Sequence, residues 1–187
     1  MIVGLIVFLG MHSVSIVAPA WRDAMAARLG EWPWKGIYGL ISIVGFVLIV
    51  KGYAAARLEP TFVYVPAAWM RHAASVLMLP VFPLLLAAYL PGRIKTRAKH
   101  PMVLAVKFWA LAHLLANGTL ADIILFGSFL AWAVADRISL KRRAPRPVPG
   151  LPESAFNDVV VVVGGLLLYV GFAIWLHPLL IGISLMG

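Results

Sequence analysis

The chain alternates between long apolar segments and short segments that collect most of its charged residues. Because the apolar segments are continuous rather than alternating, they favour helices over strands. A helix needs about 20 such residues to cross the roughly 30 Å hydrocarbon layer of a bilayer. We therefore predict an all-α, polytopic membrane bundle of six transmembrane helices, about Met1–Ala18, Gly36–Ala55, His72–Leu90, Met102–Ala116, Thr119–Asp136 and Val159–Ile181.

Composition agrees with a membrane protein. Of the 187 residues, 63% are hydrophobic and 12% are charged, whereas soluble domains hold about 25% charged residues. This length predicts one transmembrane domain over residues 1–187. The chain has no cysteine, which excludes disulfides, a thiol nucleophile and a cysteine-ligated metal.

The basic residues predict the orientation. Most of the lysines and arginines fall in the first, third and fifth connections: Arg22, Arg28, Lys35, Arg93, Lys95, Arg97, Lys99, Arg137, Lys141, Arg142, Arg143 and Arg146. Positively charged loops stay in the cytoplasm, so both termini should face outward, into the periplasm. The net charge of +9 then indicates contact with anionic lipid headgroups rather than with nucleic acid. The fifth connection includes a proline-rich linker, residues 144–154.

Prolines and capping residues predict where the spans bend and begin. Pro80 and Pro83 remove two backbone donors from the third span, which predicts a kink. Pro101 suits the first turn of the fourth helix. Because the fourth span is short for a bilayer, we expect it to begin near Lys99. Asp122, three residues after Thr119, has the spacing of a capping box at the start of the fifth span.

Histidines are the candidate chemical groups inside the apolar layer. An ionisable side chain within a span is costly and usually functional, and the sequence places His12 and His113 in this position. Trp109 and Asn117 lie four residues on either side of His113, and Trp132 is a second deep tryptophan. A hydrogen bond between helices is the simpler explanation for either histidine.

The other three histidines have simpler structural explanations. His72 and His177 lie near the membrane interface, and His100 marks the start of a helix. His100 and His113 are roughly 20 Å apart along one helix, too far to share a small ligand.

Neutral imidazole is the commonest metal ligand, and a site built from histidine alone suits haem iron, copper or zinc. Zinc usually takes three or four protein ligands, and no clustered histidine motif is present. Haem needs one or two axial ligands and an apolar slot lined by aromatic rings. Haem therefore ranks first among the metals. Nucleophile elbows, phosphate-binding loops and dinucleotide fingerprints are absent from the sequence, and so is a detectable repeat pair of the transporter type.

One long stretch carries a family resemblance. The segment KHPMVLAVKFWALAHLLANG (residues 99–118), followed by ILFGSFLAWAVADRISLKRR (124–143), resembles the NnrU family of bacterial membrane proteins. The segments MHSVSIVAPAWR (11–22), WKGIYGLISIVGFVLIVKGY (34–53) and AYLPG (88–92) fit the same family. The resemblance implies a location in the bacterial inner membrane and an association with nitrite and nitric oxide reductase expression in denitrifiers.

The family is also similar to the plastid zeta-carotene isomerase, an integral membrane haem b protein. That pattern has a His-Ser pair, a His-Pro pair and a second histidine thirteen residues later, matched here by His12-Ser13, His100-Pro101 and His113. The resemblance therefore implies haem b with His12 and His113 as axial ligands. By depth in the membrane, His72 or His177 would match His113 better, and these two residues form a second rank with His100, Trp109 and Asn117.

The primary hypothesis is a multi-pass inner-membrane protein that binds haem b and acts in nitrogen-oxide or redox physiology, with a small nitrogen oxide as ligand. One alternative is a haem-dependent isomerase of an apolar polyene, and another is a non-catalytic accessory or assembly protein. Lys99-His100-Pro101 is also faintly similar to the Arg-His-Pro motif of membrane methyltransferases, but the paired glutamates of that motif are missing. The sequence leaves open whether the protein is an enzyme.

Overall fold

A computed structural model of the protein describes residues 1–146, 148 and 150–184. The helices are α1 Ile2–Val17, α2 Pro19–Leu29, α3 Glu31–Ala56, α4 Ala68–Met78, α5 Val81–Ala87, α6 Arg93–Ala98, α7 Pro101–Ala116, α8 Leu120–Ser139, α9 Phe156–Gly171 and α10 His177–Ile181. A π-helical turn, Phe172–Leu176, joins α9 to α10. Within the described residues there is no strand, only an isolated β-bridge between Phe62 and Thr119. The all-α prediction is confirmed.

Each of the six predicted spans is helical over most of its length. Three helical stretches are long and apolar enough to cross a membrane, namely Glu31–Ala56, Ala68–Ala87 and Phe156–Ile181. A fourth is formed by α1 and α2 if this pair, bent by 100°, counts as one span. The chain is thus a membrane protein with three or four candidate spans, and α7 is a shorter apolar helix of 16 residues.

The chain divides into two compact units. Unit 1 contains residues 1–66 and 117–145, and unit 2 contains residues 67–116 and 146–187. Unit 1 therefore holds α1, α2, α3 and α8, whereas unit 2 holds α4 to α7, α9 and α10.

In unit 1, α1 packs closely along α3 and also contacts α8. Two glycines permit the close approach of the first pair. A Cβ atom added at Gly4 would come within 2.5 Å of the backbone nitrogen of Ile49, and one at Gly45 within 2.8 Å of that of Phe8. Because the start of α1 lies against the end of α3, these two helices run antiparallel.

The first connection is helical rather than a loop. The chain bends at Ala18, and Pro19 begins α2 at a position where its missing N–H is not needed. The ring of Trp21 meets the ring of Trp34 at 6.0 Å between centroids, so α2 folds back onto the start of α3. Because the apolar residues of segment 19–29 are unevenly spaced, the sequence did not predict this helix.

In unit 2, the predicted kink is a break between α4 and α5 at Leu79 and Pro80, which confirms the prediction. The helix α5 packs against both α7 and α9. Its residues Val81 and Leu84 form a buried cluster with Ala105 of α7.

The short helix α6 ends at Ala98, and the next residue, Lys99, has a φ of 60°, in the left-handed region. Pro101 is the first residue of α7, which confirms the helix start predicted there. The expectation that this helix begins near Lys99 is wrong, because the backbone of Lys99 cannot continue a right-handed helix. The described residues of the linker 144–154 contain no helix, and Pro147 and Pro149 lie outside the described residues.

Candidate functional site

His12 lies on α1, in unit 1, and three aromatic side chains surround its imidazole ring. Phe8 stacks on it with ring centroids 4.2 Å apart. Tyr38 of α3 and Trp132 of α8 approach it edge-on at 5.1 and 5.9 Å. We call these three rings the His12 cage. Three helices of unit 1 contribute to it, so the cage depends on their packing.

The backbone fixes the tautomer of His12. Its Nδ1 atom lies 2.7 Å from the carbonyl oxygen of Phe8, one turn earlier. A carbonyl oxygen only accepts hydrogen bonds, so Nδ1 carries the proton and a neutral imidazole keeps its lone pair on Nε2. Histidines that bind metals commonly have this arrangement, in which the second ring nitrogen donates to a carbonyl. Within the described part of the chain, His12 forms no other hydrogen bond.

Two polar atoms in unit 1 are buried without a hydrogen-bond partner among the described residues. They are Nε1 of Trp132, a member of the cage, and Oγ of Ser42, which lies one turn beyond Tyr38 on α3. Leaving a buried donor unpaired costs about 1–3 kcal/mol. The N–H of Trp132 is therefore a donor that a polar group of a bound molecule could satisfy, whereas the hydroxyl group of Ser42 interacts with that of Tyr38.

A buried ion pair lies one turn beyond the cage. The guanidinium of Arg143 donates from Nη2 to Oδ1 of Asp136 at 3.0 Å and from Nη1 to the carbonyl oxygen of Ser15 at 2.9 Å. Ser15 follows His12 by three residues on α1, and Asp136 follows Trp132 by four on α8. Arg143 therefore joins the two helices that carry His12 and Trp132.

His113 lies on α7, in unit 2, and has a local arrangement like that of His12. Its Nδ1 lies 2.8 Å from the carbonyl oxygen of Trp109, which requires the same tautomer. The two rings are 5.2 Å apart between centroids, so Trp109 lies beside His113. In both histidines, the residue four positions earlier supplies a carbonyl acceptor and an aromatic ring.

His72 and His177 also place Nδ1 against a backbone carbonyl oxygen, but at exposed positions. His72 is exposed on α4, and its Nδ1 lies 3.3 Å from the carbonyl oxygen of Ala68. His177 begins α10 and contacts the carbonyl oxygen of Ile183 at 2.9 Å. His100 precedes α7, and its carbonyl oxygen accepts from the N–H of Leu104.

Asn117 lies one residue past the end of α7, in unit 1. It therefore does not continue the helix that carries Trp109 and His113. Its carbonyl oxygen accepts a hydrogen bond of 2.7 Å from the hydroxyl group of Tyr64. Burial raises the pKa of Tyr64, and the charge of Asp122 raises it further. The phenol therefore stays protonated and keeps donating at neutral pH.

Asp122 forms the predicted capping box at the start of α8, and this prediction is confirmed. Its N–H donates to Oγ1 of Thr119, and its carboxylate accepts from the N–H of Thr119 at 3.0 Å. The hydroxyl group of Tyr53, near the end of α3, donates to the other carboxylate oxygen at 2.5 Å. Asp122 is only 4% exposed, so these contacts replace its hydration.

Among the described residues, no three histidine, aspartate or glutamate side chains converge in a group that could hold a metal ion. Any metal at His12 or His113 would therefore arrive with other ligands of its own. Haem is such a group, because the porphyrin supplies four of the iron's ligands and the protein supplies one or two.

A comparison with known protein families shows which family the chain belongs to. The family described as NnrU protein matches residues 1–185. The chain belongs to the NnrU family. No curated protein and no solved structure matches it. The similarity to the plastid isomerase therefore rests on the sequence pattern alone, that is, on His12-Ser13, His100-Pro101 and His113.

Two residues of this candidate site were not expected from the sequence. Tyr38 joins the cage and Arg143 closes the end of α1, yet both lie in segments where the sequence gives only span or loop character. Tyr38, Ser42 and Gly45 recur at helical spacing on α3. This row of small and polar residues was the available signal for a face turned toward another helix.

Proposed function

We propose that this chain binds haem b in the membrane, with His12 as one axial ligand. The observation that carries the proposal is the hydrogen bond from Nδ1 of His12 to the carbonyl oxygen of Phe8, which leaves the Nε2 lone pair available. His113, which has the same tautomer beside Trp109, is the second ligand implied by the resemblance. The family pattern, rather than geometry, supports that pairing.

The surroundings of His12 fit such a group. The His12 cage supplies flat apolar rings, as a porphyrin site requires. Trp132 Nε1 supplies a donor for a polar substituent or for a small ligand. When bound, haem would supply a redox-active iron. The carbonyl oxygen of Phe8 orients the imidazole of His12, and the aromatic rings of the His12 cage exclude water.

The proposed physiological role is in nitrogen-oxide or redox chemistry at the bacterial inner membrane. A small nitrogen oxide is the proposed ligand, because such molecules bind haem iron and cross apolar layers. In this role Trp132 Nε1 would donate a hydrogen bond to a ligand held near His12.

We also propose the six-span topology with both termini in the periplasm. Several contacts within the units join helix ends that this topology puts on the same side. In unit 1, Arg143 joins the ends of α1 and α8, and Tyr53 joins the end of α3 to Asp122 at the start of α8. In unit 2, Asp158 at the start of α9 accepts from the N–H of Ile94, in the connection that follows α5. These pairings support helices that cross in alternating directions.

An absorption spectrum of the purified protein tests haem binding. We expect the wild-type chain, produced with haem supplied, to show a Soret band and reduced α and β bands. His12→Ala should abolish or shift these bands, and His113→Ala should alter them.

His100→Ala is the matched control, and its spectrum should equal that of the wild type. The thermal unfolding midpoint of each variant in detergent verifies that it folds. A wild-type protein without a Soret band, or a His12→Ala variant with an unchanged one, contradicts the proposal.

A further inference from the structure

The short helix α6 in unit 2 is held in place by Asp158 on α9. The backbone N–H groups of Arg93 and Ile94 donate to the two carboxylate oxygens of Asp158 at 2.9 and 3.0 Å. Gly92 lies directly against this carboxylate, and a Cβ atom there would come within 2.6 Å of Oδ1. The start of α6 therefore has a defined position on α9.

The linker before α9 is held against the same connection. The side-chain amide of Asn157, a buried residue, donates to the carbonyl oxygens of Pro91 at 2.8 Å and Pro152 at 3.0 Å. The N–H of Leu151 donates to the carbonyl oxygen of Tyr89 at 2.9 Å. These bonds fix the linker on both sides of residue 153.

Between α6 and this linker lies a surface pocket of about 220 Å³, lined by Arg93, Thr96, Arg97 and Glu153. The two arginines are one turn apart on α6 and share one face, where like charges repel. Both guanidinium groups are exposed, and in the described part of the chain neither of them forms an ion pair. An anion placed between them would relieve the repulsion.

The pocket's charge and donors indicate which anion fits. Two guanidinium groups and one carboxylate leave a net charge of +1, which a phosphodiester balances, and arginine binds phosphate oxygens in bidentate geometry. Thr96 donates its hydroxyl proton to the carbonyl oxygen of Gly92, so its oxygen can accept. Glu153 can accept as well. A headgroup that carries hydroxyl donors satisfies both oxygens.

We propose that this pocket binds the headgroup of an anionic phospholipid of the phosphatidylglycerol type. Arg93 and Arg97 hold the phosphodiester, and Thr96 and Glu153 accept from the glycerol hydroxyls. Leu151 and Phe156, on either side of Glu153 in the sequence, are 61% and 68% exposed and offer apolar contact to the acyl chains. This site is independent of the haem proposal.

Lipid retention by the full-length protein tests the proposal. The protein in detergent is titrated with phosphatidylglycerol, phosphatidylethanolamine or phosphatidylcholine, and bound lipid is measured by native mass spectrometry. Wild type should prefer phosphatidylglycerol. Arg93→Gln/Arg97→Gln should weaken that binding roughly tenfold or more, because two charge-assisted contacts are lost. Arg71→Gln, an equal change on α4, should leave it unchanged.

Further measurements distinguish binding of a lipid from binding of a soluble phosphate. Glycerophosphoglycerol, the free headgroup, should compete only weakly because it lacks acyl chains. Competition as strong as that of the lipid, equal retention of all three lipids, or undiminished binding by the double variant overturns the proposal. If the double variant unfolds, Arg97→Gln alone gives the answer, because it removes one of the two guanidinium groups and should still weaken the binding of phosphatidylglycerol.

Discussion

Arg143 and Asp136 form an ion pair of 3.0 Å between a loop residue and the last turns of α8. Both side chains are largely buried, with 16% and 9% exposed. The other terminal nitrogen of the guanidinium, Nη1, donates a hydrogen bond to the carbonyl oxygen of Ser15 near the end of α1. The pair therefore fixes the helix that carries His12 relative to the helix that carries Trp132.

Replacing Arg143 with glutamine should strongly destabilise the protein, because it leaves the carboxylate of Asp136 buried and unpaired. Losing one partner of a buried ion pair costs about 3–5 kcal/mol. Thermal unfolding in detergent measures the effect. Arg142→Gln is the control, since Arg142 is exposed, and it should change stability by less than about 0.5 kcal/mol. Equal midpoints for the two variants would contradict the role of the pair.

Tyr53→Phe should lower the free energy of unfolding by roughly 1–2 kcal/mol, because Asp122 loses a hydrogen bond while it remains buried. Tyr89→Phe makes the same chemical change at an exposed side chain and should have little effect. Chemical denaturation of both variants in the same detergent compares them. A loss of stability in Tyr89→Phe alone would speak against this account of Asp122.

The adjacent glycines 164 and 165 should respond differently to alanine. A Cβ atom at Gly165 would come within 2.5 Å of the backbone nitrogen of Pro83, whereas one at Gly164 would meet only Leu86 Cδ1 at 3.5 Å. Gly165→Ala should therefore force α9 away from α5 and cost about 1–3 kcal/mol. Gly164→Ala should be neutral or stabilising. Of this pair, only Gly165 lies against a backbone.

Single cysteines test the proposed topology directly, because the natural chain has none. Glu59→Cys lies in the second connection and Lys141→Cys in the fifth, both at exposed positions. In intact cells with a permeabilised outer membrane, a membrane-impermeant maleimide should label residue 59 and not residue 141. After lysis it should label both. The reverse pattern would invert the orientation, and labelling of both in intact cells would contradict the six-span arrangement.

Features that depend on nearest neighbours in sequence were predictable. Pro80 breaks a helix because it lacks an N–H, and the Thr119–Asp122 box forms from residues three apart. Partners from distant segments were not predictable. Tyr53 lies 69 residues from Asp122 and Ser15 lies 128 residues from Arg143, and no local pattern encodes such a pairing. The tautomers of His12 and His113 depend on a local contact, with the carbonyl oxygen four residues earlier, but that contact requires a particular side-chain rotamer, which a sequence pattern does not reveal.

The division of the chain into two interleaved units has a consequence for biogenesis. Unit 1 is complete once the ribosome has made residue 145, whereas unit 2 still waits for its closing segment, residues 146–187. During that interval α5 exposes Pro83 and the apolar residues around it without α9. Until α9 is made, this surface of α5 has no helix packed on it, and truncation before residue 156 would leave it uncovered.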